Sequence, residues 1–314
     1  MMLKKRMVPK NKMQILKNST LKKVFVVVGP TAIGKTSIAI ELAQSLGTEI
    51  ISADSRQCFK ELSIGVARPS NEELATIPHH FIATHSVNEN INAGYFEQYA
   101  LDKAKAIFQT NESLVMVGGT GLYIKSFCEG IDPMPIIPPG IREDIVQEFH
   151  AKGLIWLQTE LKHKDPAFWA VAEQQNPQRL MRGLEVLLAT GQSITVFRSS
   201  EKKQRDFEII KIGLEMPLEQ LTKRINQRVN LMMKAGLLEE VQSVIGYREK
   251  TALQTVGYKE LFDYIDGNIS LEDAVQQIKV HTRQYAKRQM TWFKKDTAIK
   301  WYDATKVSIK DLIQ

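Results

Sequence analysis

Residues 29–36 read Gly-Pro-Thr-Ala-Ile-Gly-Lys-Thr, the pattern G-x-x-x-x-G-K-T, and their flanks constrain the fold more than any other stretch. Before them lies Val24-Phe-Val-Val-Val28, an apolar run that predicts a buried strand or a very short buried helix. After them, residues 37–46 carry apolar side chains at helical spacing. Strand, glycine loop and helix together form the context in which this pattern holds phosphate. Gly29 and Gly34 let the backbone fold back, so N–H groups converge on an anion at a helix N-terminus. The whole loop (Gly29, Pro30, Thr31, Ala32, Ile33, Gly34, Lys35 and Thr36) is the expected diphosphate site. Lys35 adds a point charge, and the Thr36 hydroxyl is placed to ligate Mg²⁺ shared with the phosphates. A ligand carrying two or three phosphates is expected.

Beyond the loop, strands and helices alternate. Residues 48–52 predict a second strand ending at Ala53-Asp54-Ser55, 93–108 a helix, and 113–117 a third strand. That strand runs into Gly118-Gly-Thr-Gly121 and a helix from Leu122. Such alternation implies a parallel sheet covered on both faces, with ligands beyond the carboxyl ends of its strands. The expected fold class is therefore α/β, a P-loop NTPase-like core with an inserted helical subdomain and a helical C-terminal part. Four prolines in Pro133-Met-Pro-Ile-Ile-Pro-Pro139 interrupt regular structure. Residues 141–190 are helical in pattern, and 207–214 predict a strand returning to the core. The expected division is a basic leader at 1–23, a core of 24–130 with 205–314, and a helical insertion of 131–204.

The net charge of +7 among 314 residues is concentrated in that leader. Residues 1–23 hold eight Lys/Arg and no acid; the remainder holds 34 basic and 35 acidic side chains. The body is not globally basic, so charge alone gives no argument for nucleic acid. No apolar run approaches the length needed to span a bilayer, and a monomer in the cytoplasm is expected. Two cysteines, Cys58 and Cys128, suggest neither a disulfide framework nor a metal cluster. His79 and His80 are read as structural, since nothing pairs them with further ligands.

A long helix is expected from a cap at Ser270 with Asp273 to about Phe293. Lys279, Arg283, Lys287, Arg288, Lys294 and Lys295 follow one another along and just past it with no acid between, interleaved with Tyr285 and Trp292. That pattern suits phosphate contacts with base stacking. A solvated basic face with its aromatics in the core fits equally well.

Six segments in register then become specific: residues 29–36, Ser52-Ala-Asp-Ser-Arg-Gln57, Gly118-Gly-Thr-Gly-Leu-Tyr123, Gln178-Arg-Leu-Met-Arg182, Val256-Gly-Tyr258 and Arg283-Gln-Tyr-Ala-Lys-Arg-Gln-Met-Thr-Trp292. Together they closely resemble the bacterial tRNA dimethylallyltransferases, over roughly residues 24–303. The resemblance implies that the loop holds dimethylallyl diphosphate rather than ATP. It also implies that Lys35 and Mg²⁺ on Thr36 offset charge on the leaving diphosphate. It implies Asp54 as general base toward the exocyclic amine of an adenine beside the anticodon, and Thr120 as the residue positioning amine or diphosphate. Asp54 read without the family is more readily a helix cap than a base. Arg228 matches a further diphosphate contact, with Arg224 one helical turn away. The tRNA contacts it implies involve Asp54, Ser55, Arg56, Gln57, Thr120, Arg142, Gln178, Arg179, Leu180, Met181, Arg182, Gly257, Tyr258, Lys287, Arg288, Gln289, Trp292 and Lys294.

Departures from the family pattern lie outside the proposed base and loop. They are Gly65-Val-Ala-Arg-Pro69 for Gly-Thr-Ala-Lys-Pro, Ala83 where Asp is usual, and Gln254-Thr255 before Val256. Competing expectations are a small-molecule P-loop kinase, an adenylate isopentenyltransferase, and a tRNA-binding protein with a merely structural loop. Lys35, Thr36, Asp54 and Thr120 are all intact, which weighs against the last.

Overall fold

A computed structural model describes residues 21–199 and 201–314. The expected leader therefore falls outside the described residues as far as residue 20, and Lys23 already opens the first strand. Six parallel strands lie in the order β3-β2-β4-β1-β5-β6. They are β1 (Lys23–Val28), β2 (Ile50–Ser52), β3 (His79–His80), β4 (Ser113–Val117), β5 (Glu208–Glu215) and β6 (Lys300–Asp303). β1 is central because Val24-Phe-Val-Val-Val28 is apolar on both faces, and all five side chains are buried. β3 and β6, both at the sheet edges, were not expected. At two and four residues they are too short to carry a period of two.

Helices cover the sheet: α1 (Lys35–Leu46), α2 (Asn71–Thr76), α3 (Ala93–Ile107) and α4 (Gly121–Glu129) between the early strands. The chain then forms a second compact unit, Gly130–Lys203, before returning at Gln204. That unit holds α5 (Pro139–Lys164), α6 (Pro166–Val171) and α7 (Pro177–Thr190) around its own core of Leu157, Leu161, Phe168, Leu180, Met181 and Leu184. Back in the first unit come α8 (Leu218–Lys234), α9 (Leu237–Ser243), α10 (Tyr258–Ile265), α11 (Leu271–Phe293) and α12 (Ile309–Ile313). Ser270 caps α11 by accepting the Asp273 N–H, and the helix ends at Phe293 as the pattern predicts. The main core joins Phe25, Val27, Ile33, Leu42, Ile50, Val115, Ile212 and Leu214, with Ala286 of α11 packed in. No described helix is long and apolar enough to cross a membrane.

Candidate active site

The loops after β1, β2 and β4 meet at the carboxyl ends of the strands. In the first, Gly34 caps α1 with φ of 105°, a conformation strained for any side chain, and even Ala32 lies in the left-handed region (φ 65°). This geometry starts α1 with first-turn N–H groups that have no intrahelical acceptor. Lys35 Nζ donates to the Pro30 carbonyl (2.8 Å). In the second loop, Asp54 Oδ1 accepts the N–H groups of Arg56 (2.8 Å) and Gln57 (3.2 Å), so the carboxylate caps its own turn. In the third, Thr120 Oγ1 accepts the Ser55 N–H (3.0 Å) and donates to Ser55 Oγ (3.3 Å), tying the glycine loop to the Asp54 turn.

Gln289 of α11 completes the assembly. Its Oε1 accepts the Thr31 N–H (2.8 Å) and its Nε2 donates to the Gly119 carbonyl (3.0 Å). One buried amide thus couples the phosphate loop to the loop after β4. α8 contributes Arg228, whose Nη1 donates to Thr31 Oγ1 (3.5 Å). Arg224 Nη2 lies 3.4 Å from where a Cβ on Gly34 would stand. The structure therefore brings both arginines to the loop.

Two cavities occupy the space between these elements. One of about 290 Å³ is polar, lined by Lys35, Thr36, Asp54, Gly118, Arg224 and Arg228 among others. Its neighbour, about 230 Å³, is walled by Val229, Met232, Leu237, Val256, Ile278 and Tyr285. Thr31, Asp54, Val66, Ala67 and Arg228 line both. Burial first and then Arg228 push the Lys35 ammonium down, to about 7, with Asp54 opposing the change. Arg228 is also lowered, by burial and then by Arg224. Excess positive charge held this tightly favours a bound anion. Cys58, beside Asp54, is pushed up to about 12 by burial and then by that carboxylate, so it stays a thiol. Among the described residues no three or more His, Cys, Asp or Glu gather as a metal cluster.

The expected RNA-facing residues divide sharply. Gln178, Arg179, Lys287, Arg288 and Trp292 are exposed, and the Arg288 guanidinium lies 5.9 Å from the Tyr285 ring centre. Arg56, Gln57 and Ser55 are half-buried at the cavities. Arg142 and Arg182 both pair with Glu185, a buried carboxylate of the second unit. Six of these residues are engaged within the protein. Leu180, Met181 and Tyr258 are core side chains, and Gln289 is spent on the two loops. Lys294 binds Glu215 (2.7 Å) and lies over the Trp301 ring (3.9 Å). Gly257 is buried too, its N–H donated to Glu260 (2.7 Å). The sequence did carry a signal for Gln289: it shares a helix face with buried Ala286 and Phe293 at i−3 and i+4.

A glycine loop at the end of the central strand, three cations around it and a carboxylate shared with an apolar cavity define a P-loop-like α/β protein with an ionic and an apolar compartment side by side. The IPP transferase family model matches residues 57–296. The tRNA dimethylallyltransferase of Christiangramia forsetii is 47% identical over 277 residues, 88% of this chain and 92% of that protein. That of Cytophaga hutchinsonii is 45% identical over 281 residues, covering 90% and 92%. Among solved structures, the tRNA isopentenylpyrophosphate transferase of Bacillus halodurans superposes with TM-score 0.68 at 32% identity, over 93% of each chain. A eukaryotic dimethylallyltransferase acting on tRNA gives 0.72 at 25% identity, over 90% of this chain and 74% of that one. The chain belongs to the IPP transferase family, whose curated relatives here are prenyltransferases.

Proposed function

We propose that this chain transfers a dimethylallyl group from dimethylallyl diphosphate to the exocyclic amine of the adenosine 3′ to the anticodon in tRNA, releasing diphosphate. The observation that carries this reading is the wall shared by two unlike cavities, where Asp54, Thr31 and Arg228 face both. The diphosphate would lie with Lys35, Arg224 and Arg228, and adenine, extruded from its loop, would enter the apolar side. The bond from the allylic carbon to diphosphate oxygen breaks, a carbon–nitrogen bond forms, and the amine gives its proton to Asp54. Both hydrogen bonds that Asp54 accepts fall on Oδ1, which leaves Oδ2 for that proton. Thr120 acts by holding the turn that carries the base.

Mg²⁺ suits this cavity, whose lining offers the Thr36 hydroxyl and two carboxylates, Asp54 and Glu73. An ion that keeps most of its waters and shares phosphate oxygens needs no denser cage. Thr36 would hold it, and the ion would offset charge on the departing diphosphate. RNA recognition is proposed to rest on the exposed Gln178, Arg179, Lys287, Arg288 and Trp292, with Arg56 at the cavity mouth. Two buried free thiols, Cys58 and Cys128, suit a reducing cytoplasm.

The test is transfer of label from dimethylallyl diphosphate to unmodified tRNA with Mg²⁺, beside AMP as acceptor and ATP hydrolysis as control. Label in tRNA alone is expected. Label in AMP would assign the enzyme to free nucleotides, and ATP turnover without transfer would make it a kinase.

A further inference from the structure

We propose that Glu240 is a positioning residue for prenyl transfer: its carboxylate fixes the segment 65–67 that divides the two cavities, and so sets where the allylic carbon meets Asp54. The proposal rests on the function just inferred. Glu240 lies on α9, far from residues 63–65 in sequence, yet it accepts three successive backbone N–H groups. Ser63 (2.9 Å) and Ile64 (2.7 Å) donate to Oε2, and Gly65 (2.9 Å) donates to Oε1. The Tyr258 hydroxyl adds a fourth bond, to Oε1 (2.6 Å).

Three consecutive N–H groups aimed at one point form an anion-binding concavity. Here the anion is internal. A carboxylate suits it where an amide does not, because Gln offers one acceptor oxygen and sets its NH₂ against converging donors. The fit is also steric. A Cβ on Gly65 would lie 2.6 Å from the Tyr258 ring, which is fully buried. Ring and carboxylate therefore hold the same short segment from one side.

From the other side, Gln57 Nε2 donates to the carbonyls of Val66 (3.3 Å) and Ala67 (2.9 Å). The Gln57 N–H is itself one of the two held by Asp54 (3.2 Å). A continuous series of bonds thus runs from Glu240 through residues 65–67 and Gln57 to the proposed base. Val66 and Ala67, held by Gln57 directly after the residues held by Glu240, line both cavities. Movement of this wall would change the depth of both ligands and admit water between them. Nothing in the segment's own sequence supplies a replacement acceptor for three adjacent N–H groups.

The experiment measures, for wild type, Glu240→Gln, Glu240→Asp and Tyr258→Phe, both prenyl transfer to tRNA and diphosphate released without transfer. Amide exchange over residues 63–67 and affinity for inorganic diphosphate are measured on the same proteins. For Glu240→Gln we expect kcat down at least tenfold and KM for dimethylallyl diphosphate within about threefold. The share of unproductive diphosphate release rises, and exchange at residues 63–65 accelerates. Glu240→Asp, which keeps the charge, recovers part of kcat, and Tyr258→Phe loses less than Glu240→Gln. Unchanged kcat and partitioning in Glu240→Gln would overturn the proposal. So would a kcat loss that merely tracks the folded fraction, with exchange and partitioning as in wild type. Absence of transfer in the wild type would instead sink the parent function. Glu240 would then be judged by exchange and inorganic diphosphate affinity alone.

Discussion

The two cavities that meet at Asp54 solve opposite problems. Around the first, Lys35, Arg224 and Arg228 crowd positive charge into one space, enough that burial and mutual repulsion pull Lys35 down to about 7. Around the second, Val229, Met232, Leu237 and Ile278 supply apolar surface, with Tyr285 as the aromatic wall. A leaving diphosphate needs preorganised donors. An electron-deficient allylic carbon needs water kept away. Separate compartments let one site meet both demands, and under the proposed function the bond would change hands at their shared wall.

The comparison breaks most visibly at the wall itself. Asp54→Asn keeps an Oδ1 that can accept the Arg56 and Gln57 N–H groups, yet cannot take the amine's proton. Transfer should fall by about 10²–10⁴-fold in kcat, with affinity for inorganic diphosphate nearly unchanged. Diphosphate affinity collapsing in step would move Asp54 wholly into the polar cavity. The arginines come next. Arg228 faces both cavities and Arg224 only the polar one. Arg228→Gln is expected to lower kcat by roughly 10²-fold, as loss of one preorganised donor does. Arg224→Gln should act mainly on KM. Equal effects on both parameters would erase the distinction.

Lys35 sharpens the contrast through pH. Its free pKa sits at about 7, and a bound anion favours the protonated form. Above pH 7, binding must therefore take up a proton, and affinity for inorganic diphosphate should fall by up to about tenfold per pH unit. Calorimetry in buffers of different ionisation enthalpy reads the uptake directly. A flat profile from pH 7 to 9, or one unchanged in Lys35→Gln, would show that the titrating group lies elsewhere.

These features were unevenly legible in the sequence. β1, the glycine loop, α1 and β4 could be read from residue types alone, because an all-apolar run and a glycine pattern admit few structures. The edge strands β3 and β6 could not, since their partners across the sheet, not their own periodicity, make them strands. That the loops carrying Lys35, Asp54 and Thr120 share one rim followed from strand ends in a parallel sheet, and their roles from a resemblance, while the hydrogen bonds joining these loops lie outside any motif. Motifs also mark positions without saying which way a side chain points. Tyr258 sits in a family segment yet is fully buried against Gly65 and Glu240. Gln289 looked like part of a basic RNA-facing run because Lys287 and Arg288 dominate its surroundings.

That run supplies the smallest effect and the finest test, since its members differ in what holds their charge. Lys287 and Arg288 are exposed, whereas Lys294 is engaged by Glu215 and by the face of Trp301. Lys287→Ala with Arg288→Ala should weaken tRNA binding and shallow its log–log salt slope by roughly 1.4–1.8, the release expected for two phosphate contacts. Lys294→Ala should leave that slope unchanged and cost about 0.5–1 kcal/mol of stability, the scale of an exposed ion pair with a cation–π contact. A salt slope that responds to Lys294 but not to the pair would reverse the assignment. The charge that reaches RNA would then be the one the protein already neutralises, and exposure would be no guide to the interface.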